Sequence, residues 1–271
     1  MIRSRVVDAM SHLVNCGLCE HRCGVNRLGG ERGTCHAGPN ARLFRHRVEW
    51  SEELELTPSH VFYLSGCDLR CAFCIAEENA FDARRGVPLT IESFNQAVRW
   101  GKELGACNLQ WLGGEATIHL PRILELLASC PEPLRVVWKS NFHMTPEALE
   151  LLRDVVDVYV ADFKFGNDHC ARELAGVGDY TAIVTRNLTI AARQGDLIVR
   201  HLVMPGHLEC CLVPVVDWMC RNLRGTKFSV RDGYMPAWRA RHFPNLDRML
   251  DRDEIDRARR IAESAGLYCI D

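Results

Sequence analysis

Short apolar runs alternate with longer amphipathic stretches along the chain from about residue 60 onward. The short runs are typical of buried strands, and they cover residues 61–64, 108–112, 135–138, 156–161, 197–203, 227–230 and 267–270. The longer stretches repeat apolar residues at helical spacing, and they cover residues 91–104, 121–129, 146–154, 180–194, 212–223 and 251–265. The pattern predicts seven strands that alternate with six helices.

Residues that favour helix ends support this interpretation. Thr145 followed by Pro146 is typical of a helix N-terminus, and Gly266 follows the last helix where a C-terminal glycine is expected. Regular alternation of apolar strands with helices indicates a parallel sheet, in an open doubly wound form or in a complete or partial barrel. In both forms, ligands gather at the carboxyl ends of the strands.

Residues 1–50 have a different character, with several glycines, one predicted short helix and four clustered cysteines. So short a segment cannot bury enough apolar surface to be stable alone. We therefore expect two parts: a small cysteine-rich module, residues 1–50, which a metal organises, and an α/β domain, residues 51–271.

Composition narrows the class of protein. The chain has 271 residues, with 33 Lys and Arg against 35 Asp and Glu, so its charge of -2 gives no argument for a nucleic-acid or anionic-membrane partner. Apolar residues at 47% and charged residues at 25% are average for globular proteins, which excludes a collagenous, disordered or membrane-embedded chain. Neither a signal-peptide core nor a long apolar segment is visible, and a cytoplasmic location is expected.

Fourteen cysteines are the unusual feature of this composition. In a reducing compartment, cysteines remain thiols or bind metals, and short spacings favour metal. One cluster, LSGCDLRCAFC, contains Cys67, Cys71 and Cys74 directly after the first strand of the α/β domain. Three thiolates on one loop can hold three irons of a [4Fe–4S] cluster and leave the fourth iron open to a substrate. The alternatives are unrelated core cysteines or an incomplete zinc site.

This CxxxCxxC loop, with Phe73 just before its last cysteine, resembles that of the radical S-adenosylmethionine (SAM) superfamily. The resemblance implies a partial (βα)6 barrel of the TIM type. It also implies an enzyme in which the open iron binds the amino and carboxylate groups of SAM. An electron from the reduced cluster then cleaves SAM to methionine and a 5′-deoxyadenosyl radical, which takes a hydrogen atom from the substrate.

A second segment, LGGEA at residues 112–116, resembles the GGEP segment of that family with alanine in place of proline. Gly113 and Gly114 allow a close backbone approach to a ligand, and Glu115 can accept a charge-assisted hydrogen bond from the SAM ammonium. Alone, these residues would be an ordinary turn between a strand and a helix. Their position one βα unit after the cysteine loop favours a SAM-binding role.

Polar residues also follow or end further strands: Lys139, Ser140, Asn141, Asp162, Lys164, Arg200 and His201. The segments VDVYVADFK and VRHLVMPG resemble glycyl-radical-enzyme activases of the pyruvate formate-lyase activating type. They resemble more closely a group of activase-like proteins that are similar to those enzymes. The resemblance implies that the SAM site includes Phe73, Lys139, Asn141, Asp162, Lys164 and Arg200. The alternative for Asp162 is a buried salt bridge with Lys164 or Arg200, without any ligand.

The N-terminal cluster, CGLCEHRCGVNRLGGERGTC, contains Cys16, Cys19, Cys23 and Cys35. Four thiolates make a closed site that suits zinc or an iron–sulfur cluster. Similar cysteine sets precede the radical SAM loop in the activase-like group, and we expect an auxiliary iron–sulfur cluster, with structural zinc as the alternative. His21 and His36 adjoin these cysteines and could replace a thiolate or lie exposed on a basic loop.

The remaining seven cysteines are expected to pack as small apolar residues: Cys107, Cys130, Cys170, Cys210, Cys211, Cys220 and Cys269. Among them, Cys210 and Cys211 with Cys220 have ligand-like proximity, but no fourth ligand is evident. A segment after the sixth strand carries the candidate substrate contacts Arg231, Asp232 and Tyr234, or else forms a surface loop.

These observations predict a radical SAM enzyme that abstracts hydrogen from a peptide or protein, to install a glycyl radical or to modify a side chain. The alternatives are radical SAM chemistry on a small metabolite or nucleoside, and a non-catalytic metal-binding scaffold. A flavodoxin- or ferredoxin-type electron donor is expected from the resemblance. The sequence defines neither the substrate and final product nor the oligomeric state.

Overall fold

Helices and strands alternate along residues 2–51 and 53–270, the part of the chain that the computed structural model describes. The chain divides into two compact units. Unit 1 contains the described residues up to Asp68 and the segment Ala76–Val158, and unit 2 contains Leu69–Ile75 and the described residues from Tyr159 onward. The separation of a module of residues 1–50 from residues 51–271 stays a prediction.

Unit 1 contains five neighbouring strands. Its strands are β1 (Arg42–Glu49), β2 (Ser59–Leu64), β3 (Val87–Pro88), β4 (Asn108–Gly113) and β5 (Arg135–Ser140), in the order β3-β1-β2-β4-β5. β2, β4 and β5 are parallel, whereas β1 is antiparallel to β2 and β3. Its helices are α1 (Ile2–Ser11), α2 (Glu77–Ala80), α3 (Ile91–Glu103), α4 (Leu120–Ser129) and α5 (Pro146–Leu152).

Unit 2 repeats the βα pattern. Its strands are β6 (Val158–Asp162), whose first residue belongs to unit 1, then β7 (Asp196–Leu202), β8 (Lys227–Arg231) and β9 (Tyr268–Cys269). β7, β8 and β9 are parallel neighbours. The helices are α6 (Asp168–Ala175), α7 (Tyr180–Ala191), α8 (Val213–Asn222) and α9 (Arg252–Ser264), and a π-helical turn, Leu208–Leu212, leads into α8.

The predicted seven strands and six helices are all present, and so is the short N-terminal helix, so the α/β class with parallel strands is confirmed. Thr145 accepts a hydrogen bond from the Ala148 amide and Pro146 opens α5, while Gly266 adopts a φ of 74° after α9. The elements β1, β3, α2 and α6 were not predicted. In β1 only Leu43 is buried, the other positions are half-buried or exposed, and several are arginines, so it lacks the continuous apolar run of a strand buried on both faces.

Aromatic side chains fill the core of unit 1 on one side of its parallel strands. The Trp111 ring lies 5.0 Å from Phe62 and 5.6 Å from Phe94, measured between ring centroids. All three side chains are fully buried. Because rings of this size dominate the area buried in a core, this group holds α3 against β2 and β4.

Across residues 2–51 and 53–270, none of the helices combines the length and the apolar character needed to cross a membrane.

Two fully buried histidines stabilise loops that follow strands. In unit 1 a ring nitrogen of His119 lies 2.7 Å from the Ser65 carbonyl oxygen, and in unit 2 a ring nitrogen of His201 lies 2.7 Å from that of Phe163. Burial lowers the pKa of each imidazole to about 4, and the charge of Arg27 contributes for His119. Both rings are therefore neutral in the folded chain near neutral pH.

We expect the free energy of unfolding to fall as the pH is lowered from about 6.5 to about 4. The reason is that each imidazole has a folded pKa of about 4, below its value of 6.5 in the unfolded chain, so unfolding takes up protons in this window. The substitution His119→Gln should make the dependence shallower, as measured by urea unfolding at several pH values. The same change at the exposed His242 should leave it unaltered, and an equal effect at both positions would contradict the assignment.

Candidate functional site

Two turns at the carboxyl ends of β2 and β4 lie against each other in unit 1. The Gly114 amide donates to the Leu64 carbonyl at 2.8 Å. A Cβ atom on Gly113 would collide with the backbone of Leu64, and one on Gly114 would collide with the backbone of Gly66. The two glycines thus permit a close approach between backbones, and the turn that they contact leads directly into Cys67.

The residue after Cys67, Asp68, is a buried carboxylate with partners on both oxygens. The side-chain amide of Asn141 donates to Asp68 Oδ1 at 2.7 Å, and His143 Nδ1 lies 3.0 Å from Oδ2. His21 Nε2 lies 2.9 Å from the Asp68 carbonyl oxygen. Burial alone would raise the pKa of Asp68, but the hydrogen bonds and charge of the facing groups outweigh it and leave the pKa below its ordinary value. Asn141 Nδ2 is also 4.0 Å from Cys67 Sγ.

Glu115 is a second buried carboxylate in unit 1. Its Oε1 atom accepts hydrogen bonds from the Thr117 amide at 2.9 Å, the Thr117 hydroxyl at 2.6 Å and the Ser140 hydroxyl at 2.8 Å. Its Oε2 atom accepts one from the backbone amide of Asn141 at 2.9 Å. Burial, together with the negative charge of Asp68, raises the pKa of Glu115 to about 7 despite these donors. Glu115 therefore joins the carboxyl ends of β4 and β5.

Sequence reasoning missed Asp68, Thr117 and His143 as members of this group. Asp68 adjoins Cys67 and His143 follows Asn141 by two residues, but short polar residues at such places are common in turns. Their significance comes from contacts between segments that are far apart in the chain.

Three of the four N-terminal cysteines, Cys16, Cys19 and Cys35, are buried in unit 1. Burial raises the pKa of the Cys19 thiol, and the charges of Asp68, Cys35 and Cys16 raise it further. The pKa of Cys35 is also raised, mainly by burial. The mutual effects place these three cysteines within electrostatic reach of one another and of Asp68.

The fourth cysteine, Cys23, is half-buried, and its sulfur lies against Gly33, where a Cβ atom would collide with it. Of the two nearby histidines, His21 contacts Asp68 as described, and His36 is exposed. Whether these four cysteines ligate one metal stays a prediction.

The N-terminal segment is bound to the rest of unit 1 through the turn after β5. Cys19 forms an isolated antiparallel bridge with Met144, and the Glu20 amide donates to the His143 carbonyl oxygen at 3.1 Å. Helix α1 packs against α4 and α5. The cysteine-rich segment therefore lies beside the same turn that holds Asp68.

Arg27 is a buried cation in this segment, with only 2% of its surface exposed. Within the described part of the chain it donates hydrogen bonds to neutral carbonyls, at 3.0 Å to Gly38 and at 2.7 Å to Ile118. Its charge acts to lower the pKa of Cys35. A buried guanidinium needs a counter-charge, and Cys35 could supply one as a thiolate.

In unit 2, Cys71 is buried and Cys74 is half-buried, and the Cys74 amide donates to the Cys71 carbonyl oxygen at 3.1 Å. Phe73 between them is buried, with its ring centroid 6.1 Å from the rings of Phe165 and Tyr234. Packing of this aromatic ring anchors the second half of the cysteine loop in unit 2.

The strand ends of unit 2 bring Asp162, Lys164 and Arg200 together. Lys164 Nζ lies 2.6 Å from Asp162 Oδ2, and Arg200 Nε donates to Asp162 Oδ1 at 2.8 Å. Burial would lower the pKa of Lys164, but the negative charges of Asp162 and Cys71 raise it above its ordinary value. The salt bridge considered from the sequence is thus present, and a SAM-binding role for these three residues stays a prediction.

Lys139, at the end of β5 in unit 1, forms a fully buried ion pair with Glu53, with 3.2 Å between Lys139 Nζ and Glu53 Oε2. Its predicted contact with SAM stays a prediction.

The candidate substrate residues of unit 2 differ in their surroundings. Tyr234 is buried and its hydroxyl donates to the Leu246 carbonyl at 2.7 Å, whereas Asp232 pairs with Arg259 at 2.6 Å. Arg231 ends β8 and is half-buried. Contact of these residues with a substrate stays a prediction.

The fold and the site together define a class of protein: parallel strands with helices, a three-cysteine loop after the first parallel strand, and buried polar groups at the following strand ends. The family model of the radical SAM superfamily matches residues 61–219, which is more than half of the chain. The chain belongs to the radical SAM superfamily, as the cysteine spacing predicted.

A protein of Methanocaldococcus jannaschii, the uncharacterized protein MJ0674, is 36% identical over 272 residues, which covers 98% of this chain and 79% of that protein. Streptococcus suis SuiB bound to its precursor peptide SuiA is similar in structure, with a TM-score of 0.55 and 17% identity over 75% of this chain and 46% of SuiB. The FeFe-hydrogenase maturase HydG from Carboxydothermus hydrogenoformans has a TM-score of 0.52 and 18% identity over 75% of this chain and 50% of HydG. This chain spans about half the length of these solved structures, and their similarity confirms the radical SAM fold.

We expect the substitution His143→Ala to lower the free energy of unfolding by about 3 kcal/mol, because it leaves a buried carboxylate without one of its partners. The measurement is urea unfolding of the metal-free chain. Replacement of the exposed His242 by alanine serves as the control and should change this free energy by less than about 0.5 kcal/mol. Equal stability of the two variants would show that Asp68 does not depend on His143.

Proposed function

We propose that this protein cleaves SAM reductively and removes a hydrogen atom from a peptide or protein substrate. The observation that carries the proposal is the Cys67, Cys71 and Cys74 spacing directly after β2, followed one βα unit later by Gly113, Gly114 and Glu115. Membership of the radical SAM superfamily supports it. A scaffold without turnover would have no need for this combination.

The donor set fits a [4Fe–4S] cluster held by Cys67, Cys71 and Cys74. Thiolates are the usual ligands of such clusters, and three of them leave one iron for SAM. When bound, the cluster supplies the electron for cleavage of SAM. The chain supplies stabilising groups for thiolate ligands. In unit 1 the side-chain amide of Asn141 lies near Cys67 Sγ, and in unit 2 the positive charge of Lys164 interacts electrostatically with Cys71.

Glu115 is the proposed partner of the SAM ammonium. Among the described residues its Oε1 atom accepts three hydrogen bonds and its Oε2 atom one. A carboxylate oxygen can accept two or more, so Oε2 retains capacity for a further donor. The proposed SAM site also includes residues carried over from the resemblance: Phe73, Gly113, Gly114, Lys139, Asn141, Asp162, Lys164 and Arg200.

A peptide or protein is the proposed substrate because the chain resembles glycyl-radical activases in its VDVYVADFK and VRHLVMPG segments. SuiB, which shares the fold, was crystallised with a precursor peptide, so a peptide is compatible with the fold. Arg231, Asp232 and Tyr234 are the proposed substrate contacts, and a flavodoxin- or ferredoxin-type protein is the proposed electron donor.

The N-terminal cysteines Cys16, Cys19, Cys23 and Cys35 are proposed to hold an auxiliary iron–sulfur cluster. A site with four thiolates is anionic and provides the counter-charge that the buried Arg27 needs. The electrostatic influence of Asp68 on Cys19 and Cys35 supports a position close to the radical SAM loop within unit 1. Electron relay or substrate positioning would suit that position.

The reconstituted wild-type protein, incubated with SAM and dithionite under anaerobic conditions, should produce 5′-deoxyadenosine. Cys71→Ala should abolish the product, because the cluster loses one of three ligands and SAM loses its site. Cys130→Ala, which replaces a half-buried cysteine at the end of α4, should retain wild-type production. Chromatography of the nucleoside product is the measurement.

A wild-type protein that never forms 5′-deoxyadenosine would remove the enzyme proposal, and a Cys71→Ala variant that forms it would refute the site. The same incubation with candidate peptides and nucleosides that carry deuterium on carbon tests the substrate class, because the abstracted atom is transferred to 5′-deoxyadenosine. A glycine-containing peptide of the kind found in glycyl radical enzymes is the first candidate. Production stimulated by nucleosides alone would favour the small-molecule alternative.

Iron analysis tests the N-terminal cluster separately. We expect about eight irons per wild-type chain, with four for each [4Fe–4S] cluster, and about four in a Cys35→Ala variant. The Cys130→Ala control should keep the wild-type content. Four irons in the wild-type chain, together with a zinc ion that the Cys35→Ala variant loses, would contradict the auxiliary cluster and support structural zinc.

A further inference from the structure

Unit 2 contains a second group of potential metal ligands that the radical SAM function does not use. One ligand atom from each of Cys170, His207 and Cys210 lies within 4.8 Å of the other two. Cys170 is in the first turn of α6, while His207 and Cys210 follow β7, with Cys210 in the π-helical turn. Cys220, which the sequence grouped with Cys210, instead directs its thiol to the Ala265 carbonyl at 3.4 Å.

The spacing of the two sulfurs suits a shared metal ion. Two thiolates bound at about 2.3 Å to one tetrahedral zinc ion lie roughly 3.8 Å apart. The Sγ atoms of Cys170 and Cys210 are separated by 3.8 Å. This distance is far longer than a disulfide bond, which is about 2.05 Å.

His207 is oriented as histidine ligands usually are. Its Nδ1 atom lies 2.9 Å from the Pro205 carbonyl oxygen. A hydrogen bond from the Nδ1 proton to a carbonyl fixes the tautomer in which Nε2 carries the free lone pair. The neutral imidazole therefore offers Nε2 as a ligand atom without any further rearrangement of its protons.

Asn167 supports the thiols from the loop before α6. Its Nδ2 atom donates to Cys170 Sγ at 3.2 Å and to the Cys210 carbonyl oxygen at 2.6 Å, while its Oδ1 atom accepts from the Cys170 amide at 2.8 Å. Hydrogen bonds to coordinating atoms are typical of the residues that surround protein metal sites. One side chain thus holds both cysteine-bearing segments in register.

The π-helical turn gives a second indication. Such turns are rare and occur frequently at functional sites. This one places Cys210 at the surface and Cys211 in the interior, and the Cys211 carbonyl lies so close to Gly166 that a Cβ atom there would collide with it. The loop after β6 and the turn after β7 are therefore in contact.

We propose that Cys170, His207 and Cys210 bind one zinc ion, with a fourth position open to solvent beside the exposed Cys210. Two thiolates and an imidazole form the donor set that zinc favours. The ion would join the first turn of α6 to the turn between β7 and α8, in the segments that follow two neighbouring strands of unit 2. The site is separate from the cysteines assigned to the two iron–sulfur clusters.

The experiment compares metal content in the full-length protein, purified anaerobically with zinc present and then freed of loosely bound metal. Wild-type protein should contain one more zinc per chain than the variants Cys210→Ser and His207→Ala. Cys220→Ser is the matched control and should retain the wild-type zinc content. Iron content and far-UV circular dichroism should be equal in all four proteins, which separates loss of this ion from misfolding or failure of the proposed radical SAM site.

A cobalt exchange provides an independent readout. Co²⁺ in the wild-type protein should give thiolate-to-metal charge-transfer bands. In Cys210→Ser these bands should lose the intensity that one bound Co²⁺ ion contributes. Equal zinc content in wild type and both ligand variants would overturn the proposal. So would a loss of iron in place of zinc, or a Cys170–Cys210 disulfide in the anaerobically purified wild-type chain.

Discussion

The buried carboxylate of Asp68 is the group on which the arrangement of unit 1 depends. A charge without partners cannot be kept in a protein interior at acceptable free energy, so the chain must bring donors to it. Asn141 and His143 come from the turn after β5, and His21 comes from the N-terminal segment. Because Asp68 is covalently joined to Cys67, these partners also fix the start of the radical SAM loop.

Asp68 and Glu115 form a pair of buried carboxylates with different protonation behaviour. Asp68 faces imidazoles and an amide, which keep its pKa below the ordinary value, whereas Glu115 has neutral donors and a pKa raised to about 7 by burial and by Asp68. In the proposed function, an ammonium group near Glu115 would lower that pKa and favour the ionised carboxylate. SAM binding and proton release at Glu115 would then be coupled.

Much of the framework could be predicted because parallel strands buried on both faces produce continuous apolar runs. β1 could not, since an antiparallel strand with one exposed face mixes arginines with apolar residues. The cysteine spacing predicted membership of the radical SAM superfamily because the proposed cluster ligands lie on one short segment. Spacing cannot reveal contacts such as Asp68 with His143, which are 75 residues apart, nor Cys170 with Cys210, which are 40 residues apart.

The sequence allowed two interpretations of Asp162, a SAM-binding residue or the partner of a salt bridge, and the structure shows why the sequence could not separate them. A carboxylate among cations at a strand end can be satisfied by Lys164 and Arg200 or by a ligand, and the same residue types serve both purposes. The ion pairs to both cations are present. They hold the side chains in place whether or not SAM contacts them.

Charge balance links metal binding to the packing of the N-terminal segment. Burial raises the pKa of Cys19 and Cys35, so without a metal these thiols are protonated and neutral. Arg27 then remains a buried cation beside neutral groups. The metal binding proposed for these cysteines would replace the thiol protons by a cation and leave a site that is anionic as a whole, which would compensate Arg27. In the proposed function, the charge of Arg27, which does not itself bind the metal, would therefore favour the metal-bound site over the metal-free one.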